Sequence, residues 1–336
     1  MVDAVEIFSK RLMFSFVFVA LSQVNLLRKR VHMKIVYVLT LSFLTVSLNA
    51  AEAKLDTKKI EQITGLTGKM NAEEGVFKVT SPRNDMKVTV DNWQMPPFMG
   101  LTSWAAFKAG EKDEAMVMGD LVLFQDEVNA VMSAALNNAL SVTALHNHFF
   151  FDQPKVYFMH IGGEGNAEDL AKGVKAALDA AKQVRAKNAQ PANAFSGEIP
   201  GQSSISAEPL QVALGAKAEA KDGMAKFVFG RTTKMPCGCE ATKEMGVNTW
   251  AAFAGTDGNA VVDGDFAVLE NELQPVLKSL RNSGINIVAI HHHMTQETPR
   301  TLFLHYWGKG KATDLAASVA GALNVQRRSQ QTASAQ

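Results

Sequence analysis

The stretch LHNHFFFDQPKVYFMHIGGEG, Leu145 to Gly165, decides how the chain is read. It returns as IHHHMTQETPRTLFLHYWGKG, Ile290 to Gly310. His146, His148, Asp152, Pro154 and His160 of the first stretch fall on His291, His293, Glu297, Pro299 and His305 of the second. The protein has eight histidines. His32 lies near the N-terminus; every other histidine belongs to one of these two stretches, and six of them match. Histidines scattered on a surface would not repeat in register, so the pattern names a place in the fold.

Strand geometry says what that place holds. Residues i and i+2 of a strand point the same way, so His146 and His148 share a face, as do His291 and His293. Asn147 and His292 point to the other face. Val142 to His148 and Lys155 to Ile161 are β-branched and apolar, and Phe149 to Pro154 reads as the loop of a hairpin between them. A turn about Gln153 sets His160 opposite His146; a turn about Pro154 sets it opposite His148. In the second copy the same sums centre on Thr298 or Pro299. Either register gathers three imidazoles, with Asp152 or Glu297 near the turn.

Three imidazoles and one carboxylate suit a divalent transition metal, Zn, Fe, Mn, Ni or Cu. The expected ligands are His146, His148, Asp152 and His160 in one copy and His291, His293, Glu297 and His305 in the other. An open coordination position would let such an ion activate water or polarise a substrate. The competing reading is a structural cluster of histidines bonded to backbone or to the carboxylates. Asp120 and Asp265 each follow a glycine in equivalent places and are candidates to orient an imidazole N–H from behind, or else mark a strand break. Met235-Pro236-Cys237-Gly238-Cys239, with Met245, is rich in soft donors of the kind that hold Cu(I); an oxidised or idle cysteine pair is the plainer reading. Trp104 and Trp250 read as core.

The rest of the chain frames these stretches. Of 336 residues, 47% are apolar and 20% charged, an ordinary globular composition. A net charge of +1 argues against nucleic acid as a partner, and two cysteines exclude a disulfide scaffold. Met33-Lys34, an apolar run from Ile35 to Leu48 and small residues around Ala50 to Ala53 form a secretory signal pattern, too short for a membrane span. The expected division is residues 1–53 as targeting segment, 54–182 as first repeat, 183–209 as linker, 210–326 as second repeat and 327–336 as tail. Translation from Met33 and cleavage near Lys54 would give a periplasmic or secreted chain with no stable membrane span. Its charge would fall from +1 to −2, since six basic and three acidic residues leave. Each repeat reads as strands followed by strand–helix–strand–strand–helix. In the first, Asp126 is the expected N-cap of the helix carrying Val128, Val131, Met132, Ala135 and Leu136.

The phrases Gly119-Asp120-Leu121-Val122-Leu123, Asp126-Glu127-Val128-Asn129-Ala130-Val131 and Ala144-Leu145-His146-Asn147-His148 resemble the bacterial LppY/LpqO family. So does Ala289-Ile290-His291-His292-His293 through Pro299-Arg300 to His305. His292 stands where that family usually has Asn, and Asp152 where Glu is commoner. The resemblance implies an exported protein with two such halves and no assigned activity.

The fold class expected is α+β, two tandem ferredoxin-like (split βαβ) halves with antiparallel sheets. The alternative is a bicupin β-sandwich, since H-x-H-x₃-[DE] also looks like a cupin metal motif. The expected function is an exported metal-binding protein, with a metal-dependent hydrolase or lyase as its enzymatic form. The alternative is a non-enzymatic protein that grips a small molecule or a cell-envelope component on structural histidine clusters.

Overall fold

The computed structural model describes residues 55–111, 114–193, 195 and 197–334. The proposed signal segment and His32 lie outside the described residues.

The first half opens with helix α1 (Thr57–Thr64), capped by Asp56, whose Oδ1 accepts from Lys59 N at 3.0 Å. Strands β1 (Gly68–Asn71), β2 (Val76–Pro82), β3 (Val88–Val90), β4 (Trp93–Met95), β5 (Thr102–Ala109) and β6 (Ala115–Phe124) follow. Helix α2 (Val128–Asn137) leads to β7 (Ser141–His146), the short β8 (Asp152–Gln153), β9 (Val156–Gly165) and helix α3 (Ala167–Lys187). After a connection without helix or strand, the second half repeats the order. It runs α4 (Ala207–Leu214), β10 (Glu219–Lys221), β11 (Met224–Gly230), β12 (Thr233–Lys234), β13 (Glu240–Ala241), β14 (Asn248–Thr256) and β15 (Asn259–Leu269). Helix α5 (Glu270–Asn282), β16 (Asn286–His291), β17 (Thr301–Gly310) and helix α6 (Ala312–Ser334) complete it.

The architecture is α+β, built on one large antiparallel sheet. Within each half a strand and its successor beyond the helix lie parallel and are split by an antiparallel third, in the orders β6-β9-β7 and β15-β17-β16. The expectation of two separate sheets is corrected here. All the long strands join a single twelve-stranded sheet, ordered β1-β2-β5-β6-β9-β7-β16-β17-β15-β14-β11-β10. The order is a palindrome about the β7–β16 seam.

That seam has one backbone pairing, Leu145 with Ile290, and these two residues are each other's counterparts in the repeat. On either side, where β7 and β16 bulge, a side-chain amide replaces the ladder. Asn129 donates to Ile287 O (3.1 Å) and accepts from Ile287 N (2.7 Å). Gln274 donates to Val142 O (2.8 Å) and accepts from Val142 N (2.9 Å). Each amide satisfies both backbone groups of one residue, which buried backbone requires.

One sheet face is covered by helices. Val131, Met132, Val174, Val276, Leu277 and Val319 from the helices pack with Leu121, Leu145, Met159, Ile161, Ile290 and Leu304 from the strands in one continuous core. A helix layer stands where the second sheet of a sandwich would be. The α2 face follows its spacing: Val128, Val131, Met132, Ala135 and Leu136 are all buried. Its start differs from the expected cap. Glu127 precedes the helix and makes no side-chain cap bond. Asp126 instead receives Arg185 and Ala192 N. Glu127, fully buried, accepts from Arg83 at 2.7 Å and from Phe124 N at 2.9 Å. Two guanidinium partners outweigh a helix-end bond for these carboxylates. The tryptophans expected in the core are half-buried, with Lys78 over Trp104 and Lys226 over Trp250. Among the described residues no helix is long and apolar enough to cross a membrane.

Candidate metal centre

The histidines stand on the sheet face that the helices leave open. Leu145 and Ile290 point into the helix-side core, so their neighbours His146 and His291 point the other way. The hairpin register differs from both expected ones. His146 pairs with Phe158, and His160 with Ala144; His291 pairs with Phe303, and His305 with Ala289. The turn therefore centres one residue earlier than Gln153 or Thr298. A shift of this kind moves partners by two positions and leaves the face unchanged, so the third histidine stays beside the first, as a diagonal neighbour.

In the second half His291 and His293 bring their Nε2 atoms to 3.1 Å. His293 Nε2 lies 3.4 Å from Asp265 Oδ2. His305 stacks against His291 with ring centres 4.8 Å apart. The other ring nitrogens are held from behind by backbone carbonyls: His293 Nδ1 by Gly246 O at 3.2 Å and His305 Nδ1 by Gly264 O at 3.3 Å. Asp265 reaches the cluster because β15 pairs with β17, setting Asp265 directly opposite His305. The glycine before it permits the approach: a Cβ on Gly264 would come within 2.4 Å of Trp250 O and 2.2 Å of the Tyr306 ring.

Phe303 forms the floor. It is fully buried, and the His293 ring lies on it at 3.5 Å and 9°. Phe158 does the same for His148 at 3.4 Å and 3°. Neither aromatic is singled out by the sequence pattern; the signal available is that each sits two residues before the third histidine.

Asp152 and Glu297, the expected carboxylate ligands, serve their own loops. Asp152 Oδ2 accepts from Val156 N at 2.7 Å, and Glu297 Oε1 from Thr301 N at 3.0 Å. These bonds clamp the loops that contain the cis peptides Gln153–Pro154 and Thr298–Pro299. The carboxylate that stands with the histidines is Asp265, one of the two aspartates marked by a preceding glycine.

In the first half the same rings converge less tightly. His146 lies 5.1 Å from both His148 and His160, centre to centre. Asp120 faces His160 across β6 and β9. Among the described residues, only Asp265, His291 and His293 place three donor atoms within 4.8 Å of one another. His292 is exposed, and the Asn147 amide bonds its own loop at Phe149 O.

The electrostatics of the second half suit a cation. Burial, and then the neighbouring charges of His305, His293 and His292, push His291 down from 6.5 to about 4. Burial pushes Asp265 upward, opposed by the positive charge that His305 and His293 would carry. Asp265 Oδ1 and His291 Nδ1 are buried without a hydrogen-bond partner. A divalent ion would remove the cost of desolvating the carboxylate and needs its imidazoles neutral. Imidazole nitrogens about 2.0–2.1 Å from an ion lie roughly 3–4 Å from each other, and the separations of 3.1 and 3.4 Å fit. In the first half, burial and the His146 charge lower His148, while Asp120 opposes the shift.

The two clusters are neighbours. Antiparallel pairing at Leu145–Ile290 sets His291 beside Ala144, which on its other side faces His160. It likewise sets His146 beside Ala289, which faces His305. His146 and His291 are thus diagonal positions across the seam, about 7–8 Å apart. Six histidines and two aspartates share one open face, floored at its middle by alanine.

No curated protein matches the sequence. A trimeric bacterial microcompartment shell protein, PduB, aligns over 77% of this chain and 90% of its own at 11% identity, with a TM-score of 0.19. The sequence profile of the Domain of Unknown Function family DUF1259 matches residues 58–180 and 208–325, the two segments that carry the sheet and both histidine clusters. The chain therefore belongs to the DUF1259 family, a finding that replaces the LppY/LpqO assignment its motifs suggested.

Proposed function

We propose that this is a binding protein whose open sheet face holds a divalent transition metal at Asp265, His291 and His293, with His305 as a further imidazole. The observation that carries the reading is the meeting of two Nε2 atoms and one carboxylate oxygen at 3.1 and 3.4 Å, beside a buried carboxylate oxygen that has no partner. His146, His148 and His160, with Asp120, form a looser second centre in the same proposal. Asp152 and Glu297 support both by fixing the loops. Zn, Fe, Mn, Ni and Cu all accept this nitrogen and oxygen set, so the donors name the class of ion and not the element. The ligand completing the coordination is a small molecule or a cell-envelope component. We also propose that residues 54–182 and 210–326 are ferredoxin-like repeats joined by 183–209, and that the signal pattern before Lys54 exports them.

A metal-dependent hydrolase or lyase is the second reading. It is favoured by the exposure of His293, whose side chain is 33% accessible and leaves one side of the cluster open to solvent.

The test is the metal content of tag-free protein, with Co(II) as a spectroscopic probe. Bound metal should be lost in His293→Ala and in Asp265→Asn and kept in His292→Ala. Equal metal content in all three variants would overturn the assignment. Turnover of an ester or phosphoester panel by the loaded protein would select the second reading.

A further inference from the structure

Cys237 and Cys239 lie at the tip of the β12–β13 hairpin, on the exposed surface. They are joined as a disulfide. The hairpin does not need that bond to close. Thr233 pairs with Ala241 and Lys234 with Glu240. Met235 N donates to Cys239 O at 2.9 Å, and Gly238 N to Met235 O at 2.9 Å. Gly238, at φ +78°, supplies the left-handed residue the turn requires. A disulfide stabilises least when the loop it closes is shortest, so this one contributes little to the fold. The first half closes the same hairpin, β3–β4, with the two-residue turn Asp91–Asn92 and no cysteine. The five-residue turn and its sulfurs are an addition to the second half.

The base of this hairpin borders the loop beside the second histidine cluster. Lys234 N donates to Thr298 O at 3.0 Å, and Thr298 N returns to Lys234 O at 2.9 Å. Thr233 Oγ1 donates to Pro299 O at 2.8 Å. The segment thus borders the Glu297 loop, and it ends at Gly246, whose carbonyl holds His293. Cys239 N donates to Cys237 Sγ at 3.4 Å, a bond that a thiolate accepts better than a thiol. Met235 and the exposed Met245 add two thioethers on the same segment.

We propose that Cys237 and Cys239 are a reversible redox pair whose reduced form is a Cu(I) site, distinct from the histidine centre. A low-molecular-weight thiol supplies the electrons. Two thiol molecules give up their hydrogens and become one disulfide, while the Cys237–Cys239 bond breaks to two Cys–SH groups. Cu(I) then displaces both protons and is held by two thiolates, the ligands that soft monovalent copper prefers. One residue between the sulfurs lets both reach one ion from a turn that backbone bonds keep closed.

The test uses the full chain, reduced with dithiothreitol under nitrogen and titrated with Cu(I) in competition with bicinchoninate. Reduced protein should take one Cu(I) per chain from the chelator. That uptake should be lost in Cys237→Ser/Cys239→Ser and in air-oxidised wild type, and kept in His291→Ala/His293→Ala. Mass spectrometry after iodoacetamide should show two labels on the reduced chain and none on the oxidised one. Uptake unchanged in the double serine variant overturns the proposal, as does a pair that stays unlabelled after reduction. Because the histidine variants are a separate arm, failure here leaves the divalent centre standing, and the reverse holds too.

Discussion

Asp265→Asn should raise the stability of the metal-free protein while removing its affinity for metal. The carboxylate is 2% exposed, its Oδ1 has no partner, and burial pushes its titration upward. A buried polar atom left unsatisfied costs about 1–3 kcal/mol, more when charged. The amide keeps the shape and removes the charge, so a gain of about 1–2 kcal/mol is expected in chelator. In a chain of this size that is a rise of roughly 2–3 °C in Tm. With Zn(II) at 100 times its Kd the wild type should gain about 2.7 kcal/mol; the variant should gain little. The assay is thermal or urea unfolding with and without metal. If Asp265 instead served to hold His293 by their 3.4 Å contact, the variant would be less stable in chelator and would keep its metal response. That pair of results would refute the reasoning.

The metal-free protein should lose stability on acidification, with His291 as the largest single contributor among the histidines. Unfolded His291 protonates near 6.5 and the folded ring near 4, so the unfolded state binds more protons between them. Stability therefore falls as pH drops through that window, by about 1–2 kcal/mol after allowance for partial solvent contact; His291→Gln should flatten the urea-midpoint profile there. Glu272→Gln should cost about 3–5 kcal/mol in urea unfolding, because it strips a fully buried partner from Arg231 and from Leu269 N. Asn129→Ala and Gln274→Ala should each cost about 1–3 kcal/mol, by leaving a backbone N–H and C=O of the opposite half unpaired. A loss seen in one and absent in the other would sink the view that the seam is symmetric.

Parity made the three histidines legible. Alternate strand residues share a face whatever the register, so His146, His148 and His160 could be grouped with the turn wrongly centred. Asp265 was legible only as a marked position. Its place beside His305 comes from β15–β17 pairing, about 40 residues apart in the chain, which local periodicity does not report. Asp152 and Glu297 lie near the turn in sequence, and their bonds to their own loops could not be read from that proximity. Their carboxylates reach the amide four residues on, a local bond that wins over a distant cluster. The strand–helix–strand–strand–helix core of each half came through, since Val128 to Leu136 and the long strands carry clear periods; helix α4 and the short strands β4, β8, β12 and β13 did not. The joining of the halves did not. Asn129 and Gln274 look like ordinary polar positions of amphipathic helices, and only the structure shows that each spans the seam.

The Leu145–Ile290 pairing has a wider meaning. Each half presents to the other the same strand edge, the same bulge and the same helix-borne amide, which is the geometry of an isologous dimer. Two identical chains could make this contact without a linker. Covalent fusion of such a pair releases the halves from identity. A cysteine turn can then be added beside one histidine cluster without appearing beside the other, and one cluster can tighten while its twin stays loose. Symmetry supplied the scaffold, and fusion made it possible for a symmetric scaffold to carry two unequal histidine clusters.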